Sequence, residues 1–117
     1  MKTICITVLA IVLFAFTAQD KLTGTWQGSS GARGKFNLVF KADNSFDLLV
    51  NDVPKVSGIY TLTDSIFTME DYGCPEIIGR YKVTFFGNDD SCRFQLIDDG
   101  CDGRNSSADN AVLFRVK

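Results

Sequence analysis

Apolar and polar residues alternate with period two along most of this chain. Phe36, Leu38 and Phe40 alternate with Lys35, Asn37 and Lys41, and Val39 is the one apolar residue on the polar face. Phe46, Leu48 and Val50 alternate with Asp47, Leu49 and Asn51. Val56, Gly58, Tyr60 and Leu62 follow, then Tyr81, Val83 and Phe85, then Cys92, Phe94 and Leu96, then Val112, Phe114 and Val116. Such alternation marks strands with one buried and one solvated face. Two less regular segments, 22–28 and 65–70, complete a set of eight short strands.

Turn residues separate these segments. A glycine-serine loop covers 28–34, Asp43-Asn44-Ser45 makes a tight turn, and Asn51-Asp52-Val53-Pro54 and Gly87-Asn88-Asp89-Asp90 make two more. The stretch 98–110 is long and irregular, with room for a single helical turn. No segment has the length and periodicity of a longer helix. The pattern predicts an all-β domain. Eight antiparallel strands with one apolar face close most simply into an up-and-down barrel, and a two-sheet β-sandwich is the alternative.

The first residues read differently. Lys2 precedes an apolar run over 4–16, interrupted only by Thr7, and Ala18 offers a small residue before a cut. This is the pattern of a signal peptide over 1–18, too short for a membrane span. The mature domain is then 19–117, which is 99 residues and one hydrophobic core. The expected location is secreted or extracellular, or periplasmic in a bacterium. Eleven basic against fourteen acidic residues give the mature chain a net charge of −3, with the two signs interspersed. Nucleic acid and membrane surfaces are therefore poor partners for it. The absence of histidine removes the commonest general base and metal ligand. An enzyme is not expected, and no cofactor or metal is called for.

The mature chain has three cysteines. The segment 81–96 reads as a hairpin about Gly87-Asn88, and Cys74 and Cys101 stand at equal distances on either side of that pair. This predicts a Cys74–Cys101 disulfide across the open end of the hairpin, with Cys92–Cys101 as the rival pairing. Cys92 falls opposite Val83 and behaves as a small buried apolar residue. Closing a loop of this size stabilises the fold by roughly 3–4 kcal/mol in the chain-entropy account.

Gly24-Thr25-Trp26 on the first strand, ahead of a run of antiparallel strands, resembles the calycin superfamily of lipocalins, fatty-acid-binding proteins and avidins. The resemblance implies a lipocalin-like barrel around a small apolar molecule. It also implies that Trp26 closes one barrel end with a late basic residue packed across it. Arg115 is the first candidate for that residue and Arg104 the second. The chain departs from the pattern in places. It lacks the Thr-Asp-Tyr motif, its last residues Arg115-Val116-Lys117 do not form an Arg-x-Tyr carboxylate clamp, and Trp26 is its only tryptophan.

The inward faces carry Trp26, Phe36, Phe40, Phe46, Tyr60, Tyr81, Phe85, Phe94 and Phe114. So many rings in short strands predict a filled interior. The alternative is a small apolar ligand near one open end, held by Trp26, Phe36, Phe40, Tyr60, Tyr81 and Phe94 in a cavity of a few hundred cubic ångströms. Three other features carry weaker signals. Asp98-Asp99-Gly100-Cys101-Asp102-Gly103 has the carboxylates of a calcium loop but glycine at a ligand position and no closing glutamate. Glu70, Asp71 and Glu76 offer paired carboxylates with no fixed separation. Asn105-Ser106-Ser107 is an N-glycosylation sequon. The sequence thus points to a binding protein for a small apolar ligand or an extracellular protein. A non-enzymatic interaction module with a solid core is the competing expectation.

Overall fold

The structure is a computed structural model that describes residues 21–30 and 34–117. The expected signal peptide over 1–18 lies outside the described residues. Eight strands form a closed, antiparallel, up-and-down barrel in sequence order. They are β1 (Gly24–Ser30), β2 (Gly34–Phe40), β3 (Ser45–Val50), β4 (Val53–Thr63), β5 (Ile66–Asp71), β6 (Gly79–Phe86), β7 (Ser91–Asp98) and β8 (Val112–Arg115). The sheet closes where β1 meets β8, with Trp26 opposite Arg115 and Gln27 opposite Phe114. A seven-residue helix, α1 (Asp102–Ala108), connects β7 to β8.

Turn chemistry places the hairpins. Asn51 and Asp52 both have positive φ, 53° and 63°, and join Val50 to its partner Val53 in a two-residue loop. That is the primed turn matching the twist of the flanking strands. Val53 and Pro54 therefore belong to β4 rather than to the turn. Pro54, which has no N–H to give the ladder, sits beside the register shift between Leu48 and Leu49. β1 likewise runs through Gly28 to Ser30, further than its glycine-serine composition suggests.

The β6–β7 hairpin corrects the expected register. Positive φ at Gly87, Asn88 and Asp89 moves its centre one residue along the chain. Cys92 consequently pairs with Phe85, and Val83 pairs with Phe94. The shift across the pair is two residues, so the buried faces are unchanged. Cys74 and Cys101 do form the disulfide, with a Cα–Cα distance of 6.1 Å. They are not ladder partners, however. Cys74 lies in the loop between β5 and β6, Cys101 lies just ahead of α1, and both loops meet at one barrel end.

Two further expectations change. The irregular segment after β7 holds two turns of helix rather than one. On β8 the buried face is the opposite of the one predicted: Leu113 is buried, whereas Phe114 is 55 % exposed. The run Val-Leu-Phe-Arg-Val is apolar in both phases of the alternation. Inward placement of Arg115 against Trp26 decides between them. Leu96, at the far end of β7, is also exposed rather than inward.

The core fills one half of the barrel. Leu22, Trp26, Phe40, Phe46, Tyr60, Leu62, Phe67 and Leu113 are among its buried members. Its rings meet mostly edge to face, as ring quadrupoles favour. Phe40 lies 5.0 Å from Tyr60 and Phe67 lies 4.9 Å from Phe94. The Tyr60 hydroxyl donates to the Lys41 carbonyl, so no polar atom is stranded there.

Candidate functional site

The ends of the barrel differ. At one end Trp26 is fully buried and its indole N–H donates to the Leu22 carbonyl at 2.8 Å. The Arg115 guanidinium stacks 4.3 Å above the indole ring. It donates to the carbonyls of Lys21, Thr23 and Asp89, and so ties the chain entering β1 to the β6–β7 turn. This end is sealed. Arg115 fills the role assigned to it and Arg104 does not share it.

At the other end the interior opens into a cavity of about 380 Å³. Its wall is apolar: Phe36, Leu38 and Phe40 from β2, Phe46, Leu48 and Val50 from β3, Val56 from β4, Phe67 and Met69 from β5, and Phe94 from β7. Its mouth is bounded by Asp71, the Cys74–Cys101 disulfide and four residues of α1, namely Gly103, Arg104, Ser107 and Ala108. The interior is therefore not filled throughout.

Small residues explain the space. Gly28 faces inward opposite Phe36, and a Cβ there would lie 2.6 Å from Phe36 Cζ and 2.8 Å from Leu113 Cδ2. The missing side chain lets the Phe36 ring fold over β1 instead of crossing the barrel. Ala108 and Ala111 also line the cavity with short side chains. Packing of aromatic rings thus stops half-way along the barrel axis.

The polar side of the mouth is one connected network. Arg104 grips Asp99 with both arms of its fork, Nε to Oδ2 and Nη2 to Oδ1, each at 2.8 Å. Its Nη1 reaches Asp71 Oδ2 at 3.2 Å and its Nη2 also donates to the Ile77 carbonyl. The Tyr81 hydroxyl donates to Asp99 Oδ2 at 2.5 Å, and the Cys101 N–H donates to Asp99 Oδ1. Asp71 Oδ1 accepts the N–H groups of Gly73 and Cys74. The carboxylates thus hold the backbones of both disulfide cysteines, and Arg104 joins the carboxylates. Gly79 leaves the room this needs, since a Cβ there would sit 2.5 Å from Asp99 Oδ2.

Charge states follow from these contacts. Burial alone raises an aspartate, but the bonds from Arg104, Tyr81 and the Cys101 N–H outweigh it and hold Asp99 below its ordinary value. Arg104 is held above its usual value, chiefly by its bonds to Asp99. Burial, reinforced by Asp99, raises Tyr81 and keeps its phenol protonated. Cys92 is buried and its thiol is pushed up to about 12, with loss of solvation the main cause, so it is a poor nucleophile.

The structure thus divides the six predicted ligand residues. Phe36, Phe40 and Phe94 line the cavity, whereas Trp26, Tyr60 and Tyr81 are buried in packing outside it. The aliphatic wall of Leu38, Leu48, Val50, Val56 and Met69 was not singled out, although the alternation on β2 and β3 already put several of these residues inward. Asp71, named among the paired carboxylates, and Arg104, the second candidate for the Trp26 contact, carry no sequence signal that joins them, because 33 residues separate them in the chain. The carboxylates of the 98–103 segment are engaged within the protein: Asp99 is committed to Arg104, and Asp98 pairs with Arg80 at 2.9 Å. In the sequon, Asn105 is half-buried on α1 and its Nδ2 donates to the Asp99 carbonyl.

Comparison with family models, curated proteins and solved structures finds no match to this chain. The cavity and its mouth are therefore read on their own geometry.

Proposed function

We propose that this chain is a secreted, lipocalin-like binding protein that carries a small apolar molecule in the open half of its barrel. The observation that carries the reading is the apolar cavity of about 380 Å³ at the end opposite the Trp26 seal. That volume falls within the range of small-molecule sites. The apolar leader over 1–18 and the Cys74–Cys101 bridge support an oxidising compartment outside the cytosol. Binding rather than catalysis is favoured because the polar groups at the mouth are engaged with one another and the sequence has no histidine.

Thermal shift against a panel of apolar molecules, including retinoids, flavonoids and aliphatic chains, tests this. A ligand at a hundred times its Kd raises stability by about 2.7 kcal/mol, which is several degrees in Tm for a domain of this size. Filling the cavity with Leu48→Trp removes the shift while the protein stays folded. No shift across the panel, together with a bare protein in native mass spectrometry of material from its own source, overturns the reading.

A second reading rests on the exposed apolar residues of the loop between β5 and β6. Tyr72 is 86 % exposed, and Ile77 and Ile78 are also exposed beside the mouth. They support contact with an extracellular protein, which the same mass spectra register as a bound chain.

A further inference from the structure

We infer that the cavity selects neutral and protonated-amine ligands over carboxylates, and that Asp71 reads the polar head of the bound molecule. This inference rests on the binding reading above. It follows from how charge is distributed at the mouth. Arg104 is the cation on the cavity wall and Asp71 is the anion there. An arginine at the mouth of an apolar cavity suggests a clamp for an acid. Here the guanidinium is already committed: two bonds go to Asp99, one to Asp71 and one to the Ile77 carbonyl.

The formal charges lead to the same conclusion. One guanidinium stands between two carboxylates, and the side chains of Arg104, Asp71 and Asp99 are 7 %, 7 % and 0 % exposed. The cluster therefore carries one negative charge in excess, with little water to screen it. A carboxylate brought to this mouth meets like charge and a spent cation. A hydroxyl or an ammonium instead brings a donor, and the ammonium also offsets the excess charge.

One acceptor is placed to receive it. Both oxygens of Asp99 take two bonds each, from Arg104 with Tyr81 and from Arg104 with the Cys101 N–H. Asp71 Oδ1 likewise takes two, from Gly73 and Cys74. Asp71 Oδ2 takes its one side-chain donor from Arg104 Nη1 at 3.2 Å, which leaves capacity for a second.

The test uses three molecules of one chain length, decylamine, 1-decanol and decanoic acid at neutral pH, measured by displacement of a fluorescent apolar dye from the disulfide-bonded protein. Decylammonium is expected to bind about tenfold or more tighter than decanoate, with decanol between them. Asp71→Asn keeps an oxygen for the Gly73 and Cys74 N–H groups and removes the charge. It is expected to erase most of the preference for the amine while decanol binding stays within about twofold. Decanoate binding as tightly as decylammonium to the unaltered protein overturns this inference alone, and needs no variant to do so. An unchanged amine preference in folded Asp71→Asn overturns the role of Asp71. Failure of all three molecules to displace the dye overturns the binding reading and this inference with it.

Discussion

Each end of the barrel is organised by one arginine, and the two are used in opposite ways. Arg115 lies flat on Trp26, donates to backbone carbonyls and pairs with a single half-buried carboxylate, Asp90, at 3.3 Å. Arg104 stands between two buried carboxylates and fastens two loops that the disulfide also joins. The first arrangement seals an end by packing. The second props an end open, because its partners are held at the wall by hydrogen bonds and no ring crosses the barrel. A side chain satisfied at the perimeter leaves the centre empty. A stacked pair such as Trp26 and Arg115 fills it.

The sharpest way to break this comparison is to remove each arginine. Arg104→Ala leaves Asp99 buried without its cation and is expected to cost about 3–5 kcal/mol in urea unfolding. Arg115→Ala loses a stacking contact, hydrogen bonds to carbonyls that can reach water and a partly exposed ion pair with Asp90, and is expected to cost about 1–2 kcal/mol. The penalty for Arg104 is one of exposing an unpaired buried charge, not a measure of what the pair contributes. The double variant Asp99→Asn/Arg104→Met should therefore recover part of the loss. Equal costs for the two single variants would show that the ends are held by similar forces.

Leucine truncations probe the packing difference at smaller amplitude. Leu62 is buried in the sealed half, and Leu62→Ala is expected to cost about 3 kcal/mol by leaving a new cavity. Leu48 is half-buried and already borders empty space, so Leu48→Ala is expected to cost about 1 kcal/mol. A Leu48 cost as large as that of Leu62 would mean that the open half is packed in solution.

The smallest effect is a pH dependence to which the open end contributes through Asp99. Asp99 is held below the 3.8 of an unperturbed aspartate. Its contribution is therefore complete above that value and is lost as pH falls through the folded value. Tyr81 is held above 10, so its contribution is complete below 10 and declines at still higher pH. Stability is expected to fall from pH 5 towards pH 2.5, and Asp99→Asn should flatten that slope. Part of the slope will persist, since Asp43, Asp47 and Asp90 are also held low. An unchanged slope in Asp99→Asn would place the acid sensitivity elsewhere.

Much of the fold is legible in the chain because strand alternation and turn chemistry are local. Asn44, Asn51, Asp52, Asn88 and Asp89 all take the positive φ that turn residues tolerate, and the strands fall between them. Where alternation is degenerate, legibility fails. β8 is apolar in both phases, and only the contact of Arg115 with Trp26, from opposite ends of the sequence, selects the face. The disulfide was legible in its partners but not in its geometry, since the cysteines meet through loops rather than through hairpin register. Half of the predicted ligand residues fall in the site for a similar reason. Inward phase names Phe36, Phe40 and Phe94, but it does not say which inward rings border the cavity and which, like Trp26, Tyr60 and Tyr81, are buried in packing outside it.

By itself, then, the sequence determined eight short strands with one apolar face, because period and turns act over a few residues; it left barrel and sandwich both open, and the Trp26 seal came only with the resemblance carried by Gly24-Thr25-Trp26. Only the tertiary structure decided that the other end is hollow and bounded by Asp71, Asp99 and Arg104. Hollowness depends on where rings from several strands stop along a common axis. The charge at the mouth depends on residues brought together from β5, the end of β7 and α1. Neither quantity has a local representation in the chain.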